Sequence, residues 1–122
     1  MKLAASKKTP LIAAALLLCG LAFYFVAAAP GRNQAQAVIE EHRQAAGGYM
    51  QEQDYAAAAK ELREVVRLQP DDADAQLQLG TTLYKGNQKR EAAEVFKKLA
   101  QRDDYAGEAA RKFLRDRLHV KS

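Results

Sequence analysis

The sequence predicts an all-α chain: an N-terminal single transmembrane helix, then a short α-solenoid of two helix pairs closed by a capping helix. Three observations lead there. From Leu11 to Ala29 the chain runs for 19 residues without a charge. Beyond it, apolar residues recur at intervals of three and four, the spacing that gathers side chains on one face of a helix. Between His42 and Asp104 the same phrase then occurs twice, 34 residues apart: Ala45 with Leu79, Ala46 with Gly80, Tyr49 with Leu83, Ala58 with Ala92, Leu62 with Phe96, Val65 with Leu99. A period of roughly 20 to 50 residues marks a solenoid, in which each unit buries its apolar side only against its neighbours.

Residues 1–10 form a basic head with Lys2, Lys7 and Lys8. The run 11–29 makes a helix of about 28 Å, close to the hydrocarbon thickness of a bilayer. Three lysines before it and a lone Arg32 just after it place the head in the cytoplasm and the remainder outside, by the positive-inside bias. Retention as an anchor is the preferred reading, and two others stand beside it. Ala27-Ala28-Ala29 resembles a signal-peptidase exit, although Pro30 disfavours a cut directly before it. Cys19 could be a lipidated residue, but Leu18 is large for the position before it and apolar residues continue after it.

Residues 30–38 are expected to be a linker and the start of the first soluble helix. Pro30-Gly31 should break the chain at the membrane edge, with Asn33 as a cap and Gln36 three residues on, giving a helix over about 34–50. Its apolar stripe is Val38, Ile39, Ala45, Ala46 and Tyr49. The adjacent Gly47 and Gly48 cost of the order of 1 kcal/mol each inside a helix, so the last turn should fray or another backbone should pack closely. Asp54 should cap the second helix, to about Leu68, and Pro70-Asp71-Asp72 should end it and start the third, to about Lys85. Gly86-Asn87 makes the next turn, with Asn87 capping a fourth helix to about Arg102. Asp103-Asp104 starts a fifth, Tyr105 to Leu118, with Tyr105, Ala109, Phe113 and Leu114 inward and Arg111, Lys112, Arg115 and Arg117 elsewhere around it.

Small residues at Ala46, Ala58, Gly80 and Ala92 let neighbouring helices approach, and Tyr49, Leu62, Leu83 and Phe96 fill the space between them. The two copies read His42-x2-Ala45-Ala46-x2-Tyr49, Ala58-x3-Leu62, Pro70, and Gln76-x2-Leu79-Gly80-x2-Leu83, Ala92-x3-Phe96, Asp104. This pattern resembles the tetratricopeptide repeat (TPR), whose outline is Trp-x2-Leu-Gly-x2-Tyr, then Ala-x3-Phe, then Pro. Neither copy has the tryptophan, and Asp104 stands where the second proline would be. The resemblance covers 39–106 and leaves 107–122 as capping helix and tail.

Composition and motifs argue against chemistry. Of 19 Lys and Arg, three precede the apolar run, so residues 30–122 carry 16 basic against 15 acidic side chains, without the domain-level excess of a nucleic-acid binder. The single cysteine allows no internal disulfide. His42 and His119 lack a partner set, and His42 takes the place of the family's bulky aromatic, where packing is expected. The pairs Glu40-Glu41, Asp71-Asp72 and Asp103-Asp104 belong to helix starts or exposed faces. With no nucleophile beside a base and no glycine-rich phosphate loop, no enzyme, cofactor or metal is expected.

The resemblance implies that the first helix of each pair lines a concave partner-binding groove. It would offer Glu40, Arg43, Gly47 and Met50 from the first unit, Asp74, Leu77, Thr81 and Tyr84 from the second, and Glu108, Arg111 and Arg115 from the cap. The family's carboxylate clamp is not expected, because Gly47 stands where one asparagine would be and Gln78 and Glu108 take other members' places. A mixed groove of this kind suits a helix or an extended peptide. The expected protein is therefore a membrane-anchored scaffold or assembly subunit of a cell-envelope complex. It would sit in the inner membrane with its N-terminus cytoplasmic and its repeats periplasmic, touching lipid through 11–29 and another membrane or periplasmic protein through the groove. Similar small anchored repeat proteins serve cytochrome c maturation, pilus and secretion systems. A soluble periplasmic peptide-binding or chaperone-like module after cleavage, and an import-receptor-like protein facing the cytosol, are the alternatives. Because solenoids usually need about three units, a partner or a second copy is expected to supply a missing neighbour.

Overall fold

The computed structural model of the chain describes residues 30–120. The chain divides into two compact units, Met1–Ala35 and Gln36–Ser122, and of the first only residues 30–35 are described. The basic head and the expected transmembrane helix 11–29 lie outside the described residues. Among those described, no helix is long and apolar enough to cross a membrane.

Five helices follow from the periodicity: α1 (Pro30–Gln51), α2 (Tyr55–Leu68), α3 (Ala73–Lys85), α4 (Lys89–Leu99) and α5 (Tyr105–Arg117), with no strand among the described residues. Three starts are set by aspartates as expected. Asp54, Asp72 and Asp104 accept hydrogen bonds from the backbone N–H groups of Ala57, Ala75 and Gly107, at 3.1, 3.0 and 3.1 Å. Each satisfies one of the donors that a first helical turn leaves without an intrahelical partner.

Several boundaries differ from expectation. Gly31 lies within a helix and Asn33 is not a cap, because α1 already runs from Pro30; the expected break from an earlier helix at Pro30 lies outside the described residues. A proline in the first turn removes only a donor that the turn leaves unpartnered. Asn87 is not a cap either. It is left-handed, with φ 63°, and Gln88 precedes α4 without a side-chain cap. Gln53, 34 residues earlier, has φ 60°. The repeat thus reuses one left-handed residue to reverse the chain between paired helices, a conformation that asparagine tolerates better than most. α4 ends at Leu99 rather than near Arg102. The carbonyls of Ala100 and Arg102 are instead taken by the Arg111 guanidinium, at 2.7 and 3.0 Å.

Gly47 and Gly48 neither fray the helix nor receive a packed backbone. α1 continues to Gln51, and nothing lies within 4 Å of a Cβ built at either position. Gly48→Ala is therefore expected to stabilise the fold by about 0.5–1 kcal/mol, since alanine loses less backbone entropy in a helix. Denaturant unfolding of the full chain would read this as a higher midpoint at unchanged slope.

The core forms where the repeated positions meet. Ala58, Val65, Ala75 and Ala92 are fully buried, and Leu62, Leu83, Phe96 and Leu99 nearly so. α3 packs on both α2 and α4, and α5 packs on α4 and touches α3. In the second pair, a Cβ at Gly80 would meet the Phe96 ring at 2.8–3.1 Å. In the first pair the same two places hold Ala46 and Leu62, so the smaller filler stands with the larger backbone residue. α1 is attached through Ile39, which clusters with Val65 of α2 and Ala75 of α3, and through Ala46. His42 is half-buried, with Nδ1 2.6 Å from Glu61 Oε2, so its place is a polar contact between α1 and α2 rather than aromatic packing alone.

The inward face of α5 is turned relative to expectation. Ala106, Gly107, Ala110 and Leu114 are buried, Ala109 and Phe113 are half-buried, and Tyr105 is 79 % exposed. The cap at Asp104 and the contact of Gly107 with the preceding loop fix the helix's rotation, and one residue of offset turns a side chain by about 100°. Arg102 pairs with Asp104 at 2.7 Å. The guanidinium of Arg102 and the N–H of Gly107 hold the Asp104 carboxyl below the usual carboxylate range. A carboxyl depressed on folding stabilises the fold above its unfolded pKa and loses that contribution as pH falls toward the depressed value. Asp104→Asn, which keeps an acceptor for Gly107, is therefore expected to flatten the acid limb of the stability profile below the ordinary carboxylate pKa.

Candidate partner-binding groove

Two rows of side chains at helical spacing face each other between α1 and α3. Arg43, Ala46, Gly47 and Met50 come from the first; Leu77, Gln78, Thr81 and Thr82 come from the second; Leu62 of α2 lies between them. Together they line an open groove of about 540 Å³. The local sequence explains its depth. Ala46 and Gly47 place almost no side-chain volume on the α1 wall, where larger residues would fill the space.

The polar groups of the groove are mostly engaged. Arg43 pairs with the carboxylate of Asp72, tying α1 to the start of α3. The Thr81 hydroxyl donates to the Leu77 carbonyl at 2.9 Å. The buried Thr82 hydroxyl lies 3.4 Å from Met50 Sδ, a long contact to a weak acceptor. Of the lining groups with side-chain amides or charges, Gln78 alone is exposed. The surface can therefore bury an apolar group and offers no nucleophile or base. Among the described residues, no group of three or more His, Cys, Asp or Glu is placed to hold a metal ion.

Five of the eleven residues named from the sequence come together here: Arg43, Gly47, Met50, Leu77 and Thr81. Glu40 and Asp74 are exposed one turn beyond the lining rows, three residues before Arg43 and Leu77. The other four sit elsewhere, Glu108 being exposed in the first turn of α5. Tyr84 packs edge-on against Phe113 with ring centroids 5.2 Å apart, and Lys89 Nζ lies 5.8 Å from its ring centre. Arg111 holds the α4–α5 loop, and Arg115 lies 3.3 Å from Asp116. Ala46, Leu62, Gln78 and Thr82 complete the lining and were not among those eleven residues. Gln78 had a signal, being adjacent to Leu77; Leu62 reads from sequence only as a core filler.

A family model described as tetratricopeptide repeat matches residues 49–116. The match begins in the last turn of α1 and ends within α5. No curated protein and no solved structure matches the chain.

Proposed function

The chain belongs to the tetratricopeptide repeat family, whose repeats typically serve as non-catalytic protein-interaction modules, and from that premise we propose that it is a membrane-anchored scaffold or assembly subunit whose α1–α3 groove receives a segment of another cell-envelope protein. The observation that carries this reading is the groove itself: an apolar floor of Leu62, Leu77 and Met50 whose one charged lining residue, Arg43, is already paired. Such a surface gains free energy by removing apolar area from water. Anchoring in the inner membrane, with the repeats periplasmic, is supported by the uncharged run 11–29 and by Lys2, Lys7 and Lys8 ahead of it.

Site-specific photocrosslinking of the full chain tests the groove. A probe at Met50 is expected to give a discrete adduct, whereas one at Lys60, exposed on α2, is expected to give none. Gly47→Leu should abolish the adduct, because open space at Gly47 admits a side chain into the groove without strain. An adduct unaffected by Gly47→Leu would remove the groove from the function. A soluble periplasmic peptide-binding module is the second reading, favoured by Ala27-Ala28-Ala29. The N-terminal mass of the mature protein separates the two, and protease protection of the repeats in intact cells tests their side of the membrane.

A further inference from the structure

The groove is not electrically neutral along its length. Arg43 contributes little net charge because Asp72 is bound to it. One turn outward on the same two walls stand Glu40 and Asp74, at the i−3 positions of Arg43 and Leu77, and both are exposed. Among the described residues neither takes part in an ion pair, and Glu40 accepts a hydrogen bond from the neutral Gln44 amide, at 3.4 Å. At the opposite end Lys85, one turn past Thr81, is the corresponding exposed charge. The groove therefore has an apolar middle and a mouth at its Arg43–Asp72 end with two uncompensated carboxylates.

We propose that the segment received by this groove carries lysine or arginine beside an aliphatic anchor, with the basic residues at the Glu40–Asp74 mouth and the anchor against Leu62, Leu77 and Met50. This rests on the groove being the binding site and names the chemistry of its occupant. The aliphatic group supplies most of the binding by leaving water. The carboxylates select the flank: exposed opposite charges add modestly, whereas a like charge there repels and loses its solvation without return.

Two helical peptides of equal length test the proposal, each with a Leu-x-x-Leu core, one flanked by Lys-Lys and the other by Glu-Glu. Binding to the full chain in mild detergent is read by fluorescence anisotropy. The Lys-flanked peptide is expected to bind roughly tenfold more tightly at low salt, and the gap should narrow as salt rises. Glu40→Gln with Asp74→Asn should remove most of the difference, and Gly47→Leu should weaken both peptides together. Equal affinities in the unsubstituted chain, with both lost in Gly47→Leu, would overturn the basic-flank assignment and leave the groove in place. Failure of either peptide to respond to Gly47→Leu would overturn the groove, and the assignment with it.

Discussion

Phe96→Ala is expected to cost about 3–5 kcal/mol and to leave much of the repeat domain unfolded at ambient temperature. The ring is 1 % exposed, lies against Gly80, and stacks on Phe113 with centroids 4.2 Å apart and planes inclined at 23°. Phe113 in turn meets Tyr84 edge-on, so the vacated space would open the contacts among α3, α4 and α5 at once. Small domains are stable by only about 0.05–0.15 kcal/mol per residue, so a loss of this size removes a large share of the total. A gentler pair of substitutions isolates the cause. Phe96→Leu leaves a void beside Gly80, and Gly80→Ala alone drives a Cβ into the ring at 2.8 Å. Combined, they reproduce the Leu62 and Ala46 of the first helix pair. The double variant should therefore be more stable than the sum of the two single losses, by an interaction energy of about 0.5–3 kcal/mol. Far-ultraviolet circular dichroism during denaturant unfolding checks both claims, and strict additivity would refute the volume exchange.

Gly107→Ala is the second large effect. A Cβ there would stand 2.0 Å from the Arg102 carbonyl oxygen and 2.8 Å from its carbon, distances that only movement of the backbone can relieve. The loop resists such movement, because Arg111 grips the Ala100 and Arg102 carbonyls and Asp104 caps Gly107 itself. Overpacking costs about 1–3 kcal/mol and occasionally more, and a rigid backbone places this site at the upper end despite the better helix propensity of alanine. The readout is the unfolding midpoint, with Gly48→Ala as its opposite: the same exchange in open space should raise the midpoint. If the two substitutions shift it in the same direction, helix propensity rather than packing controls both sites.

The 34-residue echo, the three-and-four spacing and the three capping aspartates could be read before any coordinates, because the echo is a property of the sequence itself and the other two depend on atoms within about four residues of chain. Gly80 and Phe96 were each legible as repeat positions, one small and one filling, but their contact was not. Other features required the folded chain. Asn87 has a side chain suited equally to a helix cap and to a left-handed turn, and only the reversal between α3 and α4 selects the turn. Ala106 rather than Tyr105 points inward because Gly107 must sit against Arg102.

The groove divides in the same way. Arg43, Met50, Leu77 and Thr81 could be named from their register, since first helices share a face in a stacked repeat. Tyr84, Arg111 and Arg115 have the same kind of register but are engaged elsewhere, by Phe113, by loop carbonyls and by Asp116. Sequence alone determined that this chain forms paired amphipathic helices, and where most of them start, because hydrophobic period and capping are local properties. Tertiary structure alone decided which side chains remain for a partner. That choice depends on how far α1 stands from α3 and on which polar groups have already found one another, and both are set by the meeting of surfaces distant in the chain.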